Sequence, residues 1–315
     1  MAVTLANVRA GMQDALSAQV IDEFCKSSYL LDNMIFDDAV TPMGGGAAMT
    51  YAYTRVTTWP SAGTRAVNTE YTAHEAEKKR FAVDLKVMGG SFEIDRVLAG
   101  LGGVVDEVQF QIGQKIKATQ ACFSDMVING DSAKDVNGFD GLSKALTGSA
   151  TEFAGDIDLS TSANVTSNYM AFLDLLDEVI GEMDGAPTCL MGNARMMAKI
   201  RACARRATMY QTGLDSWGRQ LEYYGAVPLI DLGTKAGTNS PIVATGEDGT
   251  TSLYAVRMGL DGFHGVSVSG QSPIRTWLPD FTTAGAVKKG EVEMVAAVAL
   301  KSSKAASVLR GIKVM

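Results

Sequence analysis

His74 and His264 are the only imidazoles in the chain. A metal site built from several histidines is therefore excluded, and a nucleophile–base–acid triad would have to run through one of the two. His74 falls in a polar stretch and His264 reads as part of a glycine-flanked turn, so a hydrolase using either with a nearby acid has little to work with. Gly100, Gly102 and Gly103 do not make a dinucleotide fingerprint, and no phosphate loop ending in Gly-Lys-Ser/Thr occurs. The acidic run from Asp131 to Asp140 fails as a calcium loop, because the alternating oxygen ligands are interrupted at Ala133 from one start and at Phe139 from another. Cys25, Cys122, Cys189 and Cys203 lie far apart and read as free thiols, with Cys122 a small apolar residue on a helix face. Asn164-Val165-Thr166 matches a glycosylation sequon, but no secretory signal precedes it. No catalytic, cofactor-binding or metal-ligating residue emerges, and the expectation is a protein that is not an enzyme.

Charge and composition narrow the classes further. The 315 residues suffice for about two compact lobes. Hydrophobic residues at 46% and charged residues at 20% indicate a globular chain, with no apolar run long enough to span a membrane. A net charge of −7 argues against a protein built to grip nucleic acid. Residues 1–47 are acidic and residues 286–315 basic, a polarity that suits contact between copies of one chain. The basic run Lys78-Lys79-Arg80 has no interleaved aromatic platform for bases; with Glu75 and Glu77 just before it, it reads as a salt-bridging hairpin edge.

The elements that must position these residues follow from periodicity. Leu5, Val8, Met12, Leu16, Val20 and Phe24 make one apolar face of a helix, and residues 1–46 read as an arm ending in the hinge Gly44-Gly45-Gly46. An alternating strand runs from Met49 to the stop at Trp59-Pro60, and a second, through Phe81, Val83, Leu85 and Val87, returns to a second hinge at Gly89-Gly90. Between them the tip, 61–76, is polar, so this long ribbon should lie on something other than its own core. Val105, Val108, Ile112, Ile116, Phe123 and Val127 predict a long helix over about 104–128, with Asp106 and Glu107 at its start. Ser167 is the expected cap of an acidic helix over 168–183 (Asp174, Asp177, Glu178, Glu182), and a basic helix follows over about 193–208 (Arg195, Lys199, Arg201, Arg205, Arg206). Further strands are expected near 188–191, 226–232, 251–257, 264–269, 291–300 and 307–314. Without strict βαβ alternation, the class is α+β.

In this order the pieces resemble the major capsid protein family of tailed bacteriophages, whose fold is shared with encapsulins. The resemblance rests on the arm through Gly46, the hairpin ending in VMGGSFEIDRVLAG, and the long helix leading into VINGDSAKDVNGFDGL. It is completed by DSWGRQLEYYGAVPLIDLG and the closing VEMVAAVALKSSKAASVLRGIKV. It implies an N-terminal arm (1–46), an extension loop (47–89), a periphery domain (90–140 with 284–315) holding the spine helix, and an axial domain (141–283). It further implies hexamers and pentamers of an icosahedral shell around double-stranded DNA, and the net negative charge leads to the expectation that this DNA is touched weakly and without sequence preference. The extension loop would lie across a neighbouring subunit, with Arg65, Glu75, Glu77, Lys78, Lys79 and Arg80 as contact residues.

Two departures qualify the resemblance. Some family members weld their shells through a Lys–Asn isopeptide bond, yet no asparagine follows Asn239, so noncovalent contacts or a separate cement protein are expected. The chain reaches the arm at once, so a separate scaffolding protein, or earlier removal of a leader, is expected as well, beside a portal. The alternative reading keeps the fold and makes the shell an encapsulin-type compartment around an enzyme cargo. The expected location is the virion capsid, after synthesis in the host bacterial cytoplasm, with no membrane partner.

Overall fold

The computed structural model describes residues 29–40, 49–101, 106–209, 211–214, 220–269 and 272–315. In chain order these form a short helix (Tyr29–Asn33), β1 (Phe36–Val40), β2 (Thr50–Thr58), β3 (Glu77–Asp84), β4 (Lys86–Asp95), a short helix (Arg96–Gly100) and the long spine helix (Glu107–Asn129). A turn of helix (Leu142–Ala145), β5 (Glu152–Ala154), the helix Ser162–Gly181, β6 (Cys189–Gly192) and the helix Ala194–Arg206 come next. The chain closes with β7 (Gln211–Leu214), β8 (Gln220–Tyr224), β9 (Val227–Asp231), β10 (Thr250–Val256), β11 (Phe263–Val268), β12 (Ile274–Trp277), β13 (Val287–Leu300) and β14 (Ala306–Lys313).

The spine forms where the periodicity puts it. Asp106 caps it, accepting from the Val108 and Gln109 amides, and at about 1.5 Å per residue its 23 residues span roughly 35 Å. One face buries Ile112, Thr119, Phe123, Val127 and Ile128 against a sheet centred on β13, whose first half pairs with β4 and β12 and whose second half pairs with β11. β1 adds to β11 in parallel, Phe36 opposite Gly265. A seven-stranded sheet in the order β5-β14-β10-β6-β9-β8-β7 makes the second layer, with the two charged helices packed on it.

Several expectations need correction. Gly89 and Gly90 do not end a strand: they sit inside β4, opposite Glu293 and Val292. A Cβ on Gly89 would lie 2.1 Å from the Val292 carbonyl oxygen, so glycine is there to let two backbones meet rather than to bend. The hairpin ends earlier, at Leu85, whose amide donates to Met49 O at 2.7 Å. The acidic helix is capped by Thr161, not Ser167, and starts at Ser162. Leu30 and Met34, read as part of the arm, are buried in the main core. β14, expected in the periphery, is an inner strand of the seven-stranded sheet, while β11 and β12, expected in the axial domain, join the sheet under the spine. The arm helix over residues 4–25 and the hinge Gly44-Gly45-Gly46 lie outside the described residues.

Candidate assembly surfaces

The ribbon β2–β3 is a two-stranded sheet of its own, paired from Thr50–Asp84 out to Thr58–Glu77. Strand alternation puts Tyr51, Tyr53 and Arg55 on one face of β2, and all three grip the core at the ribbon's root. Tyr51 donates to Asp37 Oδ2 at 2.7 Å, and Tyr53 donates to the Leu300 carbonyl at 2.9 Å. The Arg55 guanidinium donates to the Lys301 carbonyl at 2.8 Å and also to that of Leu300. Phe81 of β3 stacks on Tyr53 at 5.7 Å, with the Arg55 guanidinium 4.5 Å from its ring centroid. These anchors were missed in the sequence, although the i, i+2, i+4 spacing on one strand face was there to read.

Beyond Arg55 the ribbon leaves its own molecule. Trp59 is 82% exposed, Val67 87% and Tyr71 64%, and the hydrogen bonds of the tip are local, such as Thr69 N–H to Ala66 O and Arg65 to Thr69 O. Lys78, Lys79 and Arg80 are exposed on β3 opposite Val56, Arg55 and Thr54, and Glu75 and His74 are exposed in the tip. The expected ion pairs between Glu75 or Glu77 and this basic run are absent among the described residues; Glu77 instead accepts from the Thr58 hydroxyl at 3.1 Å. Arg65 lies over the Tyr71 ring at 5.2 Å. The exposed ribbon charges thus form no ion pair with one another among the described residues, and Arg65 and Glu77 are held by local contacts.

The seven-stranded sheet carries the second charged surface. Asp174, Asp177, Glu178 and Glu182 line one helix and Arg195, Arg205 and Arg206 the exposed part of the next, yet no ion pair joins the two helices among the described residues. Asp177 accepts from Tyr224 at 2.7 Å, Glu182 pairs with Lys304 at 3.1 Å, and Arg201 pairs with Glu222 at 3.2 Å.

The residues that raised a chemical possibility have structural settings. His264 is not in a turn: it lies in β11 opposite Ala299, fully buried, with neither ring nitrogen hydrogen-bonded among the described residues. Burial holds its pKa below the usual histidine range; the nearby Lys301 charge pushes the same way and Asp37 opposes. The Tyr51 ring meets it edge-on at 5.8 Å. Burial pushes the Cys189 thiol up to about 12 and that of Cys203 to about 11, far from a reactive thiolate. In the acidic loop, the Lys144 ammonium sits 2.6 Å from Asp131 and 2.9 Å from Asp140. Its hydrogen bond holds the Asp131 carboxyl below the ordinary carboxylate range. No group of His, Cys, Asp and Glu side chains is placed to hold a metal ion among the described residues.

No protein-family model and no curated protein matches the chain. Solved structures do, over its whole length. The SrpI encapsulin of Synechococcus elongatus PCC 7942 aligns at TM-score 0.65 and 15% identity, covering 100% of this chain and 98% of that one. The capsid of an empty GTA particle aligns at TM-score 0.60 and 13% identity, covering 98% and 97%. The capsid of Myoviridae phage XM1 aligns at TM-score 0.58 and 12% identity, covering 99% of each. The chain has the fold of these shell subunits: the α+β tailed-phage capsid fold, present from end to end.

Proposed function

We propose that this chain is the major capsid protein of a tailed bacteriophage, a structural subunit without catalytic function. It self-assembles into hexamers and pentamers of an icosahedral shell around double-stranded DNA. The observation that carries this reading is the ribbon: its root is fastened to the chain's own core, while everything past Arg55 is exposed. A two-stranded ribbon of that length is marginal alone, and a neighbouring copy supplies the missing support. Residues 59–80, with Arg65, Glu75, Glu77, Lys78, Lys79 and Arg80, form the contact. Opposite charges on the helices Ser162–Gly181 and Ala194–Arg206 meet between subunits of one capsomer. The acidic balance of the chain keeps DNA contact weak and nonspecific. A scaffolding protein, a portal and a cement protein are the partners such a shell would use, and the virion capsid is its location after synthesis in the host cytoplasm.

A second reading, an encapsulin-type compartment around an enzyme cargo, is favoured by one observation, the alignment with the SrpI encapsulin. Electron microscopy of particles from producing cells, with analysis of their contents, separates the two. Closed shells containing DNA support the capsid reading, shells with a co-purifying enzyme support the compartment, and a chain that forms no shell contradicts both.

A further inference from the structure

Among the described residues, the ribbon presents a large aromatic that nothing buries, and its root presents a cavity that nothing fills. The cavity, about 360 Å³, lies where the ribbon leaves the core; Tyr53, Phe81, Leu142, Ala145, Phe263 and Leu300 are among its lining residues. Its size is at the low end for ligand pockets, roughly 300–1,000 Å³, and suits one bulky side chain better than a cofactor. Lys144 at its wall is paired with Asp140, which lines the cavity too, so Arg55 is the cation left; its guanidinium already lies over Phe81, forming a stack that an indole would extend. Arg55 bonds only to backbone carbonyls, so no carboxylate neutralises it.

Trp59 is the exposed knob. It is 82% exposed at the end of β2, with no ring or cation contact among the described residues, whereas Tyr71 is already engaged by Arg65. Six residues of extended strand, about 20 Å, separate it from Tyr53, so it cannot fold back into its own root cavity. Another copy's cavity has no such restriction. Around the knob the ribbon carries Arg65, Lys78, Lys79 and Arg80 against Glu70, Glu75 and Glu77, so the match with the pocket rests on the indole and on the aromatic wall capped by Arg55 rather than on net charge. Knob and pocket lie on different patches of one chain, so the contact is head-to-tail and closes into rings when the rotation permits.

We propose that Trp59 of one subunit inserts into the root cavity of the next, locking each ribbon onto its neighbour's anchor. This rests on the shell reading above. The test uses the full chain carrying Trp217→Phe and Trp277→Phe, so that Trp59 is the only emitter. On assembly its emission shifts to the blue and acrylamide quenching falls several-fold. Ala145→Phe, which fills the cavity, abolishes that protection or prevents closure, and Trp59→Ala impairs assembly at least tenfold while Trp59→Phe restores most of it. Shells in which Trp59 stays as quenchable as in free subunits, or which form normally with Trp59→Ala, overturn the insertion while leaving the shell reading intact. A chain that never assembles overturns both.

Discussion

Replacing residues 59–76 by Asn-Gly would separate folding from assembly. Thr58 and Glu77 are paired across the ribbon, and Asn-Gly is the two-residue turn best matched to the twist of such a pair. The removed segment is exposed throughout and contributes to none of the three buried clusters among the described residues. Its removal therefore forfeits no burial, and shortening the loop about ninefold lowers its closure entropy cost by roughly 2 kcal/mol. Free subunits should be as stable as the parent or up to about 2 kcal/mol more so, read from urea denaturation by circular dichroism. Closed shells, counted by electron microscopy, should disappear. A subunit weakened by several kcal/mol would mean that the tip serves its own fold, and undiminished shells would mean that it serves no neighbour.

Three further outcomes follow from side-chain settings. Because the folded chain holds His264 below its unfolded pKa of about 6.5, the unfolded chain takes up the proton first as pH falls. The stability that neutral His264 permits is complete above that value and is lost on acidification below it; His264→Phe should flatten the decline in urea midpoint between pH 6.5 and pH 5, and an unchanged slope would refute this. Asn193 is buried, accepts from the Met196 amide at 2.8 Å as helix cap, and donates to Val243 O and to the Thr251 hydroxyl. Asn193→Ala should cost about 3 kcal/mol in equilibrium unfolding, the lost cap plus a buried carbonyl without its donor. Gly89→Ala drives a methyl into the Val292 carbonyl and should cost about 3 kcal/mol or more, or yield insoluble protein, whereas Gly63→Ala, with open space around it, should be neutral within about 0.5 kcal/mol.

What the sequence revealed depended on how local the signal was. The spine was legible because apolar residues recur over many turns and Asp106 marks the start. The helix beginning at Ser162 was read six residues late, since its first turns are polar and only Val165 is buried there. Glycines misled twice: Gly89-Gly90 and the pair flanking His264 looked like turns. In each case a glycine admits close approach within a sheet, as at Gly265, where a Cβ would meet the Phe36 ring at 2.5 Å. The parallel pairing of β1 with β11 joins segments more than 200 residues apart, which no local pattern announces. The ribbon itself was legible, being alternation bounded by Trp59-Pro60. Its anchors were not, because Tyr51, Tyr53 and Arg55 acquire meaning only when β1 and the end of β13 place Asp37, Leu300 and Lys301 beneath them.

Hydrogen exchange over residues 59–77 tests the central claim most directly. The account predicts amides that exchange almost as fast as an unfolded chain in dissociated subunits and become strongly protected in assembled particles. A monodisperse monomer in which those amides are already protected would contradict it.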